Sequence, residues 1–303
     1  MDKKTIGKII STQRAKKGMS LTELSSGICN KSTLMRIEAG EVNTSTDTLS
    51  GLLERLGIHV DFDEASNFDD ILVRQIIRSA NQADVTGNRT EALELLNTIA
   101  SDYDSFSLQN KQRYDVINIM LLHEDRKITD QTRLHYLEKS MRLTQPKYSL
   151  ENLPLVMTDM EAQILRYIAA TYGIMGNYDT AIVIYYHLRN YIKQDVDKID
   201  SSKKLVNVCY NLSKCLGQSG RYSEGVEIAK EGIDACRFTN NVYMLPLCMY
   251  NYAWSLAYRD EAGDWDEARK LMTEISAYCT PMTRDIDALK KNIRELKIKL
   301  GIQ

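Results

Sequence analysis

Proline and phenylalanine are scarce, four of each in 303 residues. Leu, Ile, Ala, Lys and Glu recur instead at helical spacing, and no strand-like alternation of useful length appears, so an all-α chain is expected. No apolar run approaches the ~20 residues that a membrane span needs. The N-terminus also lacks the apolar core of a signal peptide. The six cysteines, at 29, 209, 215, 236, 248 and 279, form no CxxC, and the four histidines, at 59, 123, 135 and 187, are scattered. No metal and no cofactor is therefore expected. Isolated thiols in helical patterns predict buried, reduced cysteines in a cytoplasmic protein. Cys29 reads as a small core residue, with redox sensing the weaker alternative because nothing beside it would lower its pKa decisively. There is no glycine-rich phosphate loop and no nucleophile elbow, and no acid pair stands out from the helix faces. An enzyme is not expected.

What is present begins at Ser20. The stretch SLTELSSGICNKSTLMRIEAG, residues 20–40, reads as two short helices across a tight turn. Leu24, Ile28, Leu34 and Ile37 supply the apolar face. Ser20 and Asn30 are N-cap candidates, and Gly40 is a terminator. A helix-turn-helix places the exposed side of its second helix in the DNA major groove. Here that side carries Lys31, Ser32, Thr33, Met35 and Arg36, whose donors suit phosphates and base edges. An amphipathic helix from about Thr5 to Lys17 precedes the pair. Another, from about Thr46 to Leu56 with Ser45 as cap, follows it. Residues 1–60 hold nine Lys/Arg against six Asp/Glu, a net of +3, whereas the whole chain carries −2. The remainder must carry about −5, as fits a small phosphate-seeking head on a body with no affinity for a polyanion.

The run from Ser20 to Gly40, with Leu49 and Leu52 to Leu56, resembles the Cro/C1-type helix-turn-helix. Its wording is similar to that of the PlcR/Rgg/PrgX group of peptide-pheromone-responsive regulators. The resemblance implies that Arg14 and Glu38 form a buried ion pair tying the first helix to the end of the recognition helix. It also implies DNA-facing roles for Asn30, Lys31, Ser32, Thr33 and Arg36. Ser20, Thr22 and Lys17 complete the expected DNA-binding set. Leu21 departs from the pattern, standing where many such domains have a phosphate-binding Gln, with Thr22 or Ser20 as the replacement donor. Thr44 stands where many have Pro.

A short acidic join, HVDFDEAS at residues 59–66, separates this head from the body. The expected division is a DNA-binding domain at 1–60, a linker at 61–66 and a repeat domain at 67–303. Within the repeat domain, GNRTEA begins at Gly87, GNYDTA at Gly176, GRYSEG at Gly220 and GDWDEA at Gly263. The spacings of 89, 44 and 43 imply a period of about 44, with one degenerate unit near 127–133. Each glycine permits a tight interhelical turn, and Tyr178, Tyr222 or Trp265 is expected to plug the hairpin. Ala92, Ala181, Gly225 and Ala268 let the paired helices approach. This is a tetratricopeptide-like pattern of about five units, similar to the repeat domain of the same regulator group. Such units stack into a right-handed superhelix with a concave groove. A last helix, with Ile286, Leu289, Ile293, Leu296 and Leu300 in register, reads as a cap more readily than as a dimer seam.

With each first helix registered on its turn glycine, the inward positions include Gln163, Arg166 and Ala170, then Asn207, Tyr210, Asn211 and Lys214, then Asn251 and Tyr252. Asn pairs with an extended main chain, Tyr gives wide amphipathic contact, and Arg166 or Lys214 suits a carboxylate. The resemblance implies a short linear peptide as ligand. The expectation is a homodimeric, quorum-sensing type of transcription regulator that binds a double-stranded operator through its head and a signalling peptide through its groove. The alternative is a phage- or plasmid-type regulator whose groove holds a protein partner.

Overall fold

A computed structural model describes residues 3–56, 68–194, 198–278 and 286–302. The expected linker at 61–66, Cys279, His59 and the side chains of Ile286 and Leu289 lie outside them. The described residues are all-helical, with one isolated β-bridge between Ser149 and Asn152. No described helix is long and apolar enough to cross a membrane. By compactness the chain divides into Met1–Pro146 and Lys147–Gln303.

The first unit opens with four helices: α1 (Lys3–Lys16), α2 (Leu21–Ser25), α3 (Lys31–Glu38) and α4 (Thr46–Arg55). Ser20 starts α2 with a full capping box, its hydroxyl accepting from the Glu23 N–H while the Glu23 carboxylate accepts from the Ser20 N–H. Ser45 caps α4 through the Thr48 N–H. Asn30 sits at the N-cap of α3 with extended backbone, but its side chain makes no cap hydrogen bond. Ile10, Leu24, Leu34, Leu52 and Leu53 are fully buried. Each contributes roughly 1.5–3 kcal/mol. Their core runs on without a break into α5 (Phe68–Val85) and α6 (Arg89–Ile99), through Leu72, Ile76, Leu96 and Ile99. The head is therefore packed onto the first repeat hairpin. A 3₁₀ turn at Ala100–Ser105 leads to α7 (Leu108–Glu124) and α8 (Asp130–Arg142).

The second unit holds α9 (Asp159–Ile174) with α10 (Tyr178–Ile192), α11 (Lys198–Gln218) with α12 (Tyr222–Phe238), α13 (Leu245–Arg259) with α14 (Asp264–Tyr278), and α15 (Ile286–Lys299). Gly87, Gly176, Gly220 and Gly263 all take positive φ, between 79° and 87°. After Gly87, Gly176 and Gly220 the next N–H reaches back to close the helix end, as in Asn177 N to Tyr172 O at 2.9 Å. The α7–α8 turn, which lacks a glycine, closes in the same way: Arg126 takes φ 57°, and Lys127 N bonds Leu122 O at 2.9 Å. The degenerate repeat thus keeps the geometry and bears a left-handed arginine.

Ala92, Ala181 and Ala268 are fully buried. Gly225 meets the following repeat: a Cβ there would lie 2.9 Å from the Ser255 hydroxyl. Tyr222 likewise reaches the following repeat. Its ring packs on Trp254 and Tyr258 of α13, with centroids at 5.9 and 5.8 Å. Ile293, Leu296 and Leu300 of α15 and the residue that follows it join the core of α13 and α14, so this helix covers the last repeat.

Candidate nucleic-acid interface and ligand groove

The chemistry of the head depends on which side of α3 faces out. Leu34 and Ile37 turn inward, so the helical period leaves Lys31, Ser32, Thr33 and Arg36 exposed, with Asn30 exposed just before them. Lys17, Ser20 and Thr22 are also exposed. Among the described residues Arg36 makes only a long, open contact with Glu41, at 3.7 Å. Such a pair is worth little in water, so Arg36 can exchange its partner for a phosphate.

Two features fix α3 in place. Arg14 grips Glu38 with Nε to Oε1 at 2.7 Å and Nη2 to Oε2 at 2.8 Å, and donates Nη1 to the Met19 carbonyl at 2.9 Å. The Glu38 hydrogen bond, outweighing burial, raises the Arg14 pKa above its ordinary value. The second feature is Gly7. A Cβ there would fall 2.3 Å from the Ile37 carbonyl oxygen and 2.6 Å from that of Glu38, so only glycine lets α1 pass this close to the end of α3. Sequence reasoning missed Gly7, although a glycine inside an amphipathic helix is a signal of close backbone approach. It also missed Arg55, whose Nη1 donates to the carbonyls of Glu23, Leu24 and Ser26 and so closes the C-terminal end of α2. Cys29 is half-buried, and desolvation raises its pKa despite a hydrogen bond from the Leu34 N–H. It is a poor thiolate.

In the second unit, two cavities lie along the first helices of successive repeats. One, of about 710 Å³, is lined by Gln163 and Arg166 of α9, Tyr191 of α10, and Lys203, Lys204 and Asn207 of α11. The other, of about 610 Å³, is lined by Asn207, Tyr210, Asn211 and Lys214 of α11 with Tyr250, Asn251 and Trp254 of α13. Asn207 borders both, so the two adjoin along α11 and are together termed the trough. Its floor is tight where Trp254 lies on Gly217, since a Cβ at 217 would meet the indole at 2.5 Å. Several polar groups in the trough are already engaged. Asn211 Nδ2 donates to the Asn207 carbonyl at 2.8 Å, and Gln163 Nε2 to the Tyr167 hydroxyl at 3.1 Å. Arg166 stacks on the Tyr167 ring at 4.5 Å. Lys204 is paired to Asp159 and Asp200, and those carboxylates raise its pKa.

One expected groove residue needs correction. Tyr252 is buried and points away: its hydroxyl donates to Glu267 at 2.7 Å, and its ring borders a separate depression between α12 and α14. Adjacent residues on a helix are about 100° apart, and here that turn carries Tyr252 toward α14 while Asn251 faces α11. Asn251 does reach the trough wall. It is 93% buried, however, and its amide donates to the Tyr210 carbonyl and the Ser213 hydroxyl, tying α13 to α11.

Residues 10–62 match the helix-turn-helix family. The head is a helix-turn-helix DNA-binding domain. Beyond the helix-turn-helix, the repeat architecture has counterparts among solved structures. PlcR of Bacillus thuringiensis, in complex with the peptide PapR7 and DNA, is similar at a TM-score of 0.58 and 18% identity, covering 96% of this chain and 99% of that one. Its apo form gives 0.57 and 17%, over 95% and 98%. A looser likeness, 0.47 at 15% identity over 97% and 99%, is to the SHP pheromone receptor Rgg2 of Streptococcus dysgalactiae. At such identities the PlcR match establishes a shared fold: a helix-turn-helix followed by tetratricopeptide-like repeats. No curated protein matches by sequence.

Proposed function

We propose that this protein is a transcription regulator that binds an operator through residues 1–60 and senses a short linear peptide in the trough of its repeat domain, residues 67–303. The observation that carries the reading is the trough itself. It is edged by side chains that can pair with an extended main chain: Gln163, Asn207 and Asn211, with Tyr210 beside them. Arg166 at one end and Lys214 in the other lobe supply cations for a carboxylate. PlcR, which shares the fold, was solved with a peptide and DNA together. Dimerisation belongs to the same proposal, because one head reads too few base pairs for useful specificity. Peptide binding acts by its differential affinity for two arrangements of the dimer. The head's continuous core with α5 and α6 gives the repeats a stiff handle on the DNA-reading surface.

The test is calorimetric titration of peptides encoded near the gene into the full chain and into Asn207→Ala and Asn211→Ala variants. A saturable signal in the wild type that weakens in both variants supports the assignment. Full-strength binding by both variants would move the site elsewhere.

A further inference from the structure

A second ligand chemistry is written on α5 and α7, in the first unit, and does not depend on the peptide reading. These helices run side by side and are pinned near their starts. Asn110 Nδ2 donates to the Asp70 carbonyl at 2.8 Å and to its carboxylate at 3.1 Å, and the Ser107 N–H reaches the same carboxylate at 3.4 Å. One turn further along sit Arg74 on α5 and Arg113 on α7. Arg78 follows one turn beyond Arg74 on the same stripe. Arg74 and Arg113 are half-buried, and Arg78 is exposed.

Among the described residues none of these three guanidiniums takes part in an ion pair. The Arg74 Nε is buried with no hydrogen-bond partner. Arg113 finds only the Asn110 side-chain oxygen, at 3.3 Å. Burial, followed by the charges of Arg74 and Arg78, lowers the Arg113 pKa, and Asp70 offsets this only in part. Like charges held together at a half-buried site are unfavourable unless something neutralises them. Guanidinium forks on neighbouring turns match the oxygens of carboxylates and phosphates.

We propose that Arg74, Arg78 and Arg113 form an oxyanion site for a small ligand bearing carboxylate or phosphate groups. Binding relieves their mutual repulsion and gives the orphaned Arg74 Nε an acceptor. The site shares no residue with α3 or with the trough of the second unit.

The test is thermal unfolding of the full chain titrated with citrate, with inorganic phosphate, and with sodium chloride at matched ionic strength. Citrate, phosphate or both should raise Tm beyond chloride. A rise with one alone identifies the ligand as a carboxylate or a phosphate. Arg74→Gln and Arg113→Gln should each weaken the apparent affinity about tenfold or more. Arg36→Ala, on the DNA-reading helix, should leave it unchanged. Without added anion the two Gln variants should melt no lower than wild type, because each removes a repelling charge. Shifts no larger than chloride gives, shifts that survive in both Gln variants, or anion-free variants that melt lower would each overturn the assignment. The last result would mean that the arginines already have partners within the chain.

Discussion

Arg14 and Glu38 are joined by two parallel hydrogen bonds that lock the end of α1 to the end of α3. Glu38 sits at the C-terminal end of α3, where the helix dipole disfavours an anion, so the guanidinium neutralises a carboxylate that is otherwise badly placed. Arg14→Ala should destabilise the head by about 2–3 kcal/mol. Arg14→Ala/Glu38→Gln should recover part of that loss, because no uncompensated carboxylate remains. Urea unfolding of the four members of the cycle measures this, and simple additivity of the two changes would argue against the pairing.

The proposed DNA-reading surface on α3 predicts a divided response. Arg36→Ala and Lys31→Ala should both weaken operator binding in a gel shift. Where the side chain touches only phosphate, the loss should extend to unrelated DNA, and the slope of log affinity against log salt should fall by about one. Unchanged operator affinity in both variants would remove α3 as the reading helix.

Arg126 holds a left-handed conformation where four other turns use glycine. Arg126→Gly should therefore stabilise the α7–α8 hairpin by about 0.5–1 kcal/mol. Gly176→Ala, the reverse exchange at the equivalent turn, should destabilise by a similar amount. Differential scanning calorimetry would show Tm moving in opposite directions for the two.

The α13–α14 hairpin should be sensitive to acid. Asp264 is 96% buried and accepts from Arg259 Nη2 at 2.6 Å, Arg259 Nε at 2.8 Å and the Glu261 N–H at 3.0 Å. The Arg259 hydrogen bonds, outweighing burial, hold its pKa below the usual carboxylate value. Its contribution is therefore fully present above the unfolded value of about 3.9 and is lost as pH falls through the lower folded value. Asp264→Asn should melt below wild type near neutral pH, with the gap narrowing below about pH 4. A gap independent of pH would assign the loss to shape rather than charge.

Much of this was legible from residues alone. The cap at Ser20, the stop at Gly40 and the four left-handed glycines are local signals, and the structure uses them as the sequence suggests. The Arg14–Glu38 pair came through family resemblance rather than spacing, and the two side chains do meet. Two kinds of feature were hidden. Arg126 carries no mark of its conformation, because arginine has no preference for the left-handed region. The facing of Asn251 and Tyr252 depends on helix phase, and α13 meets α11 through contacts across the repeat boundary such as Trp254 on Gly217. The same holds for Tyr222, whose partners lie 32 and 36 residues further on. Pattern identifies a helix and its buried stripe, but contacts between repeats fix the last tens of degrees.

The most direct measurement is an operator gel shift with wild type and Asn207→Ala, each with and without a peptide that calorimetry has shown to bind wild type. The account predicts that the peptide changes operator affinity for wild type and much less for Asn207→Ala, whose peptide-free DNA binding stays normal. An unchanged affinity in wild type, or a response of equal size in the variant, would contradict it.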